Sequence, residues 1–162
     1  MRNRTARDLM AAPARSVDPD ATLEEVARLM LEHEIGSVLV LDGAGELVGI
    51  VTDSDFAARP ARLPFSTFSA PKVMGEWLAD RELARIYEEA RKRSVSEIMT
   101  RRVHTVEEAT PLAEILQLML EHDVKHVPVL RGKEPVGVVS RHDLLRLIHR
   151  EIAGEGEAGE GG

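Results

Sequence analysis

Twice in this chain a hydroxyl and a carboxylate stand three residues apart at the end of an apolar run: Thr52 and Asp55 in "GIVTDSD", Ser140 and Asp143 in "GVVSRHD". A hydroxyl at the end of a strand, directly before a helix, can hydrogen-bond phosphate oxygens while the first helical N–H groups face the same anion. A carboxylate one helical turn further on can accept both hydroxyls of a ribose, as acidic residues do in dinucleotide sites. The same pair also has a purely structural use, because Thr and Ser cap helices and Asp in a first turn complements the helix dipole. No Ser-His-Asp set, Walker loop or Gly-x-Gly-x-x-Gly stands in usable context, so no catalytic residue is assigned. His122 and His126 are spaced i, i+4, but that spacing crosses a helix end into a strand, and no metal ligand is assigned.

The two endings close a longer repetition. Met10 matches Met99, Val17 matches Val106, Met30 matches Met119 and His33 matches His122 at an offset of 89, which becomes 88 once a turn loses one residue. A repeat of about 55 residues buries too little core alone, so two copies are expected to stack. Leu23, Val26, Ala27 and Met30 form one apolar helix face, repeated as Leu112, Ile115, Leu116 and Met119. Thr22 with Glu25 fits a capping box, and Thr110 before Pro111 fits an N-cap followed by proline at the first helical position. "SVLVL" with "LVGIV", and "HVPVL" with "PVGVV", read as hairpins around "DGAGE" and "RGKE". With short strands at "ARSV" and "VHTV", each copy reads strand, helix, strand, strand, helix. The fold class is α/β of the α+β kind, with two such repeats packed about a pseudo-two-fold and a helical insert between them.

The expected boundaries are 1–59 for the first repeat, 60–93 for an inter-repeat segment, 94–151 for the second repeat and 152–162 for a disordered tail. The insert carries Pro60, Pro64 and Pro71, then an amphipathic helix from about Gly75 to Arg93 with Leu83, Ile86, Tyr87 and Ala90 on its apolar stripe. All aromatic residues, Phe56, Phe65, Phe68, Trp77 and Tyr87, fall at or within it, so it is expected to pack on the body or on a partner. Four Glu, five Gly and no basic residue make the last twelve positions too polar to order. They supply four of the seven net negative charges, leaving a mildly acidic body unsuited to tracking nucleic acid. No apolar run reaches membrane-spanning length and no signal peptide is evident, so a cytoplasmic location is expected.

With its two complete copies, the Gly-x-x-Thr/Ser-x-x-Asp endings and "HVPVL" with Pro128 in place, the chain resembles the CBS domain family, named after cystathionine beta-synthase. The resemblance covers roughly residues 5–59 and 94–150. It implies a pair of repeats that binds adenine nucleotides, with no obligatory cofactor: AMP, ADP or ATP, with S-adenosylmethionine or NAD also in range. It also implies that the base lies against the first strand and the hairpin, at Ser16 and Val17 in one copy and at Thr105 and Val106 in the other. The nucleotide-binding set is then Thr52, Asp55, Ser140, Asp143, Ser16, Val17, Ser37, Thr105, Val106 and His126.

The copies differ where charge matters. The resemblance implies a phosphate contact at His126, but Ser37 occupies the matching position of the first copy, and Leu39 stands where the proline equivalent to Pro128 would be expected. Basic residues collect in the second copy, including Arg101, Arg102, Lys125 and Arg141, so the site around Ser140 and Asp143 is expected to take the more phosphorylated ligand. The leading function is a regulatory, non-enzymatic module that senses an adenosine-type ligand and alters contacts with a regulated protein. The alternative is a structural homodimerisation module with vestigial clefts. A homodimer is expected under either reading.

Overall fold

The computed structural model describes residues 4–57, 88, 89 and 91–157. The proline-rich stretch, the aromatics from Phe65 to Tyr87 and most of the expected inter-repeat helix lie outside the described residues. Two compact units emerge, and they cut the chain differently from the repeat: one holds Arg15–Arg102, the other Met1–Ala14 with Val103–Gly162.

The first unit contains β1 (Ser16–Val17), α1 (Leu23–His33), β2 (Ser37–Leu41), β3 (Leu47–Thr52) and α2 (Asp53–Ala57), then a 3-10 turn at Val95–Glu97. Its sheet runs β1-β2-β3, with β1 parallel to β2 and β2 antiparallel to β3. α1 begins in the expected capping box: the Thr22 N–H donates to Glu25 Oε2 at 2.8 Å and the Glu25 N–H to Thr22 Oγ1 at 3.2 Å. Its face buries Leu23, Val26 and Met30 against Val38, Val40 and Val51, and Val95, Ile98 and Met99 complete that core. The helix stops at Glu34, whose φ of 51° is left-handed, and the Ile35 N–H folds back onto the Met30 carbonyl at 3.0 Å. In the hairpin turn, Asp42 Oδ1 accepts the N–H groups of Ala44 and Glu46, both at 2.9 Å, and Gly45 supplies a φ of +79°.

The second unit repeats the plan with α3 (Ala6–Leu9), β4 (Val106–Glu107), α4 (Leu112–Glu121), β5 (His126–Arg131), β6 (Glu134–Ser140) and α5 (Arg141–Glu157). Its sheet order is β4-β5-β6, and its β5–β6 bulge between Val129 and Leu130 matches the one between Val40 and Leu41 in the first sheet. Leu112, Ile115 and Met119 are buried, but Leu116 is 38% exposed and lies outside the core. Thr110 does not cap α4. Pro111, with extended backbone, holds the N-cap position, and Thr110 Oγ1 accepts the Glu107 N–H at 3.0 Å, closing the turn after β4. Arg131 crosses back to Glu108 in a bidentate pair at 2.8 and 2.9 Å, and these bonds hold the Glu108 carboxyl below its ordinary range. α5 continues to Glu157, so residues 152–157, expected to be disordered, are helical. Extending a formed helix requires no new nucleus, and Ala and Glu propagate it despite Gly154 and Gly156.

In each unit the segment ahead of the other repeat's first strand is built into the core. The Leu112 N–H donates to the Arg4 carbonyl and the Ala6 N–H to that of Thr110, both at 2.9 Å. The same bonds recur from Leu23 to Arg93 at 3.0 Å and from Val95 to Ala21 at 2.7 Å. Ala11 and Val138 exchange a reciprocal pair of bonds, as do Thr100 and Ile50. The methionine before each pair lies over a strand glycine. A Cβ at Gly137 would fall 2.6 Å from Met10 Sδ and 2.9 Å from the Ala11 carbonyl oxygen, whereas the three atoms nearest to one at Gly49 all belong to the Met99 side chain. A side chain can turn aside but a paired backbone carbonyl cannot. Gly137→Ala is therefore expected to cost about 1–3 kcal/mol and Gly49→Ala less, read as the difference in urea midpoints.

Candidate functional site

β3 runs into α2 and β6 into α5 without a linker, so the Thr/Ser and Asp of each motif straddle a strand-to-helix junction. At the second junction Asp143 Oδ2 accepts the Ser140 N–H at 2.8 Å and the Ser140 hydroxyl at 2.6 Å, while Ser140 Oγ accepts the Asp143 N–H at 3.2 Å. At the first, Asp55 Oδ2 accepts the Thr52 N–H at 2.9 Å and its hydroxyl at 3.4 Å. The carboxylate thus takes the last N–H of the strand and fixes the direction in which the helix departs. Each bond set uses Oδ2 and leaves Oδ1 outside it. A carbonyl on the neighbouring strand's approach receives the next N–H: Arg141 donates to Lys125 at 3.0 Å and Asp53 to Gly36 at 2.9 Å. Sequence reasoning missed Gly36 and weighed Lys125 only for its charge, because the carbonyls they contribute leave no signature in residue type.

The strand register sorts the remaining candidates by face. Residues opposite each other in a sheet point to the same side, and the side alternates along a strand. Ser37 pairs with Thr52, and Ser16 pairs with Leu39, two residues on, so Ser16, Ser37 and Thr52 share a face. His126 pairs with Ser140, and by the same alternation Thr105 shares their face. Val17 and Val106 lie on the other side, where they pack with the helix-facing valines. Their side chains belong to the core, so only their backbone is available to a ligand. Ser37 and Asp55 are the buried polar residues of the described set, at 7% and 9% exposure, and no described side-chain polar atom is buried without a partner.

Charge separates the two junctions. Asp53 and Asp55 open α2, and Asp53 Oδ1 accepts the Ser54 N–H at 2.8 Å. Arg141, His142 and Asp143 open α5, with Lys125 and His126 on the adjoining strand. Arg141 also pairs with the exposed Asp123 at 3.2 Å. Among the described residues, no group of three or more His, Cys, Asp or Glu side chains gathers to hold a metal ion, and no helix is long and apolar enough to cross a membrane.

Two parallel-plus-antiparallel sheets with twin hydroxyl–carboxylate junctions are matched by known proteins. The sequence profile of the CBS domain fits residues 6–61 and again 95–150. The chain belongs to the CBS domain family. The CBS domain of a CBS domain-containing membrane protein from Sphaerobacter thermophilus is 37% identical, with a TM-score of 0.72 over 90% of this chain and 88% of that one. The CBS domain pair of protein MJ0100, solved with 5'-methylthioadenosine and S-adenosyl-L-methionine, shares the fold at 23% identity and a TM-score of 0.67, covering 91% of this chain and 98% of that one. CBSX2, solved with AMP, shares it at 23% identity and 0.65, covering 90% and 97%. Among curated relatives, this CBS pair spans 65% of a 17.7 kDa protein of Acidianus ambivalens and 23% of the L-aspartate semialdehyde sulfurtransferase of Methanocaldococcus jannaschii.

The reciprocal bonds at Ser140 and the one-way, longer hydroxyl contact at Thr52 predict unequal capping. Ser140→Ala is expected to lower stability by about 1 kcal/mol, at the centre of the N-cap range, and Thr52→Ala by less, measured by thermal and urea denaturation without ligand.

Proposed function

We propose that this protein is a regulatory module that binds adenosine-type ligands at its strand-to-helix junctions and, on binding, alters its contacts with a regulated protein in the cytoplasm. The observation that carries this reading is the second junction: Ser140 and Asp143 at the start of a long helix, His126 directly opposite Ser140, and Lys125 and Arg141 beside them. Hydroxyl, helix N–H groups and cations suit a phosphate, and the carboxylate suits a ribose diol. The adenosine ligands held by the related CBS pairs support the same reading. Because Asp53 would repel phosphate at the first junction, where the second has Arg141, the second takes the more phosphorylated nucleotide. Binding is the only chemistry required, since a ligand shifts a population by its differential affinity for two states.

The alternative is a structural dimerisation module with vestigial clefts. One observation favours dimerisation in its own right: Leu31 and Leu120, equivalent residues of the two repeats, are 81% and 77% exposed. A partner carrying the same two leucines, a second copy of this chain, would cover both by symmetry. We therefore propose a homodimer in either case.

A thermal-shift screen with AMP, ADP, ATP, S-adenosylmethionine and NAD tests the first reading. Ligand at a hundred times its dissociation constant contributes about 2.7 kcal/mol, hence a shift of roughly 5–10 °C. Asp143→Ala is expected to abolish the shift with ATP while Asp55→Ala preserves most of it. Equal losses would overturn the assignment, and no shift with any ligand at millimolar concentration would leave the structural reading. Light scattering should give twice the chain mass for the wild type and a monomer for the Leu31→Glu, Leu120→Glu double variant.

A further inference from the structure

The residue ahead of β1 is tied to β2 by one hydrogen bond, from the Leu39 N–H to the Arg15 carbonyl at 2.9 Å. Pro128 holds the equivalent place in β5 and has no N–H to give. The carbonyl of His104, the counterpart of Arg15, therefore cannot be held in that way, and β4 opens at Val106 where β1 opens at Ser16, one repeat position earlier. A side-chain contact stands at this point instead. The rings of His104 and His122 lie face to face, with centroids 3.8 Å apart and planes inclined by 16°. His122 is itself anchored, because its N–H closes the end of α4 onto the Leu118 carbonyl at 3.1 Å. The first repeat has His33 at the place of His122 but Arg15 at that of His104, so it cannot build the same pair. Nor is the stack a metal pair, since imidazole lone pairs lie in the ring planes and parallel rings do not converge them on one ion.

We propose that the His104–His122 stack is a positioning device: it holds the approach to β4, including Thr105, against β5 in place of the hydrogen bond that Pro128 cannot donate. The consequence for ligand binding rests on the function proposed above, but the positioning itself does not.

Amide hydrogen exchange on the full chain tests it, read at Val106 and at Glu108, whose N–H donates to the Leu130 carbonyl of β5 at 3.3 Å, with Val17 in the other sheet as reference. His104→Ala is expected to speed exchange at Val106 and Glu108 roughly three- to tenfold, the range of one aromatic stack, and to leave Val17 unchanged. Pro128→Leu restores an N–H, and in that background His104→Ala should have no effect on these amides. His122→Phe keeps a ring that can stack and should stay protected, whereas His122→Ala should match His104→Ala. AMP affinity should fall in step with lost protection. Unchanged exchange in His104→Ala, or exchange in His122→Phe as fast as in His122→Ala, would overturn the proposal. If the amides respond as expected and AMP binds neither protein, the functional reading fails and the positioning stands.

Discussion

Met10 occupies the space that a side chain on Gly137 would need, and Met99 does the same above Gly49. The rest of each unit depends on that contact. Without a Cβ the strand lets the incoming segment approach closely enough for Ala11 and Val138, or Thr100 and Ile50, to exchange two backbone hydrogen bonds. The docked segment then supplies the carbonyls that satisfy the first N–H groups of α4 and α1, which would otherwise be unpaired at a helix start. The glycine lies three residues before Ser140 or Thr52, so the contact that closes the core also fixes the strand carrying the candidate site. The motif's glycine and its hydroxyl–carboxylate pair serve one junction from opposite ends.

A second constraint is the alternation of side chains along the strands. One face of each sheet is given to valines under a helix, and the other carries Ser16, Ser37 and Thr52, or Thr105, His126 and Ser140. A polar group placed one residue earlier or later would fall into the core, where it would need a partner. The two sheets can therefore diverge in charge at the junctions, Asp53 against Arg141 and Gly36 against Lys125, without disturbing their packing.

Much of this was legible in the sequence. The helix faces at Leu23, Val26 and Met30 and at Leu112, Ile115 and Met119 follow from spacing, and the Thr22 capping box from residue type. The grouping of Ser37 with Thr52, and of His126 with Ser140, follows from hairpin register. What escaped was decided by backbone or by distant partners. Thr110 has the composition of an N-cap, but its hydroxyl is taken by the Glu107 N–H, and nothing local distinguishes the two uses. Val17 and Val106 stand where backbone groups would read a base, and that their side chains turn to the core follows from the strand register. The exchange of leading segments leaves no trace in a repeat alignment, since Met10 aligns with Met99 whichever sheet each one packs upon.

That exchange orders events during synthesis. A chain emerging from its amino end completes the Arg15–Arg102 unit as soon as Met99 can reach Gly49, while residues 4–14 still await a sheet that has not yet been made. A segment that precedes the first unit in the chain is thus buried after it. The long sequence separation between Met10 and Gly137 slows closure of the second unit relative to the first. During that interval Ala6, Leu9 and Met10 form an exposed apolar segment in search of a glycine-bearing strand, and a neighbouring chain whose second sheet is already made would offer one. The architecture that fits two repeats into a single chain thus also provides the template for domain swapping between chains.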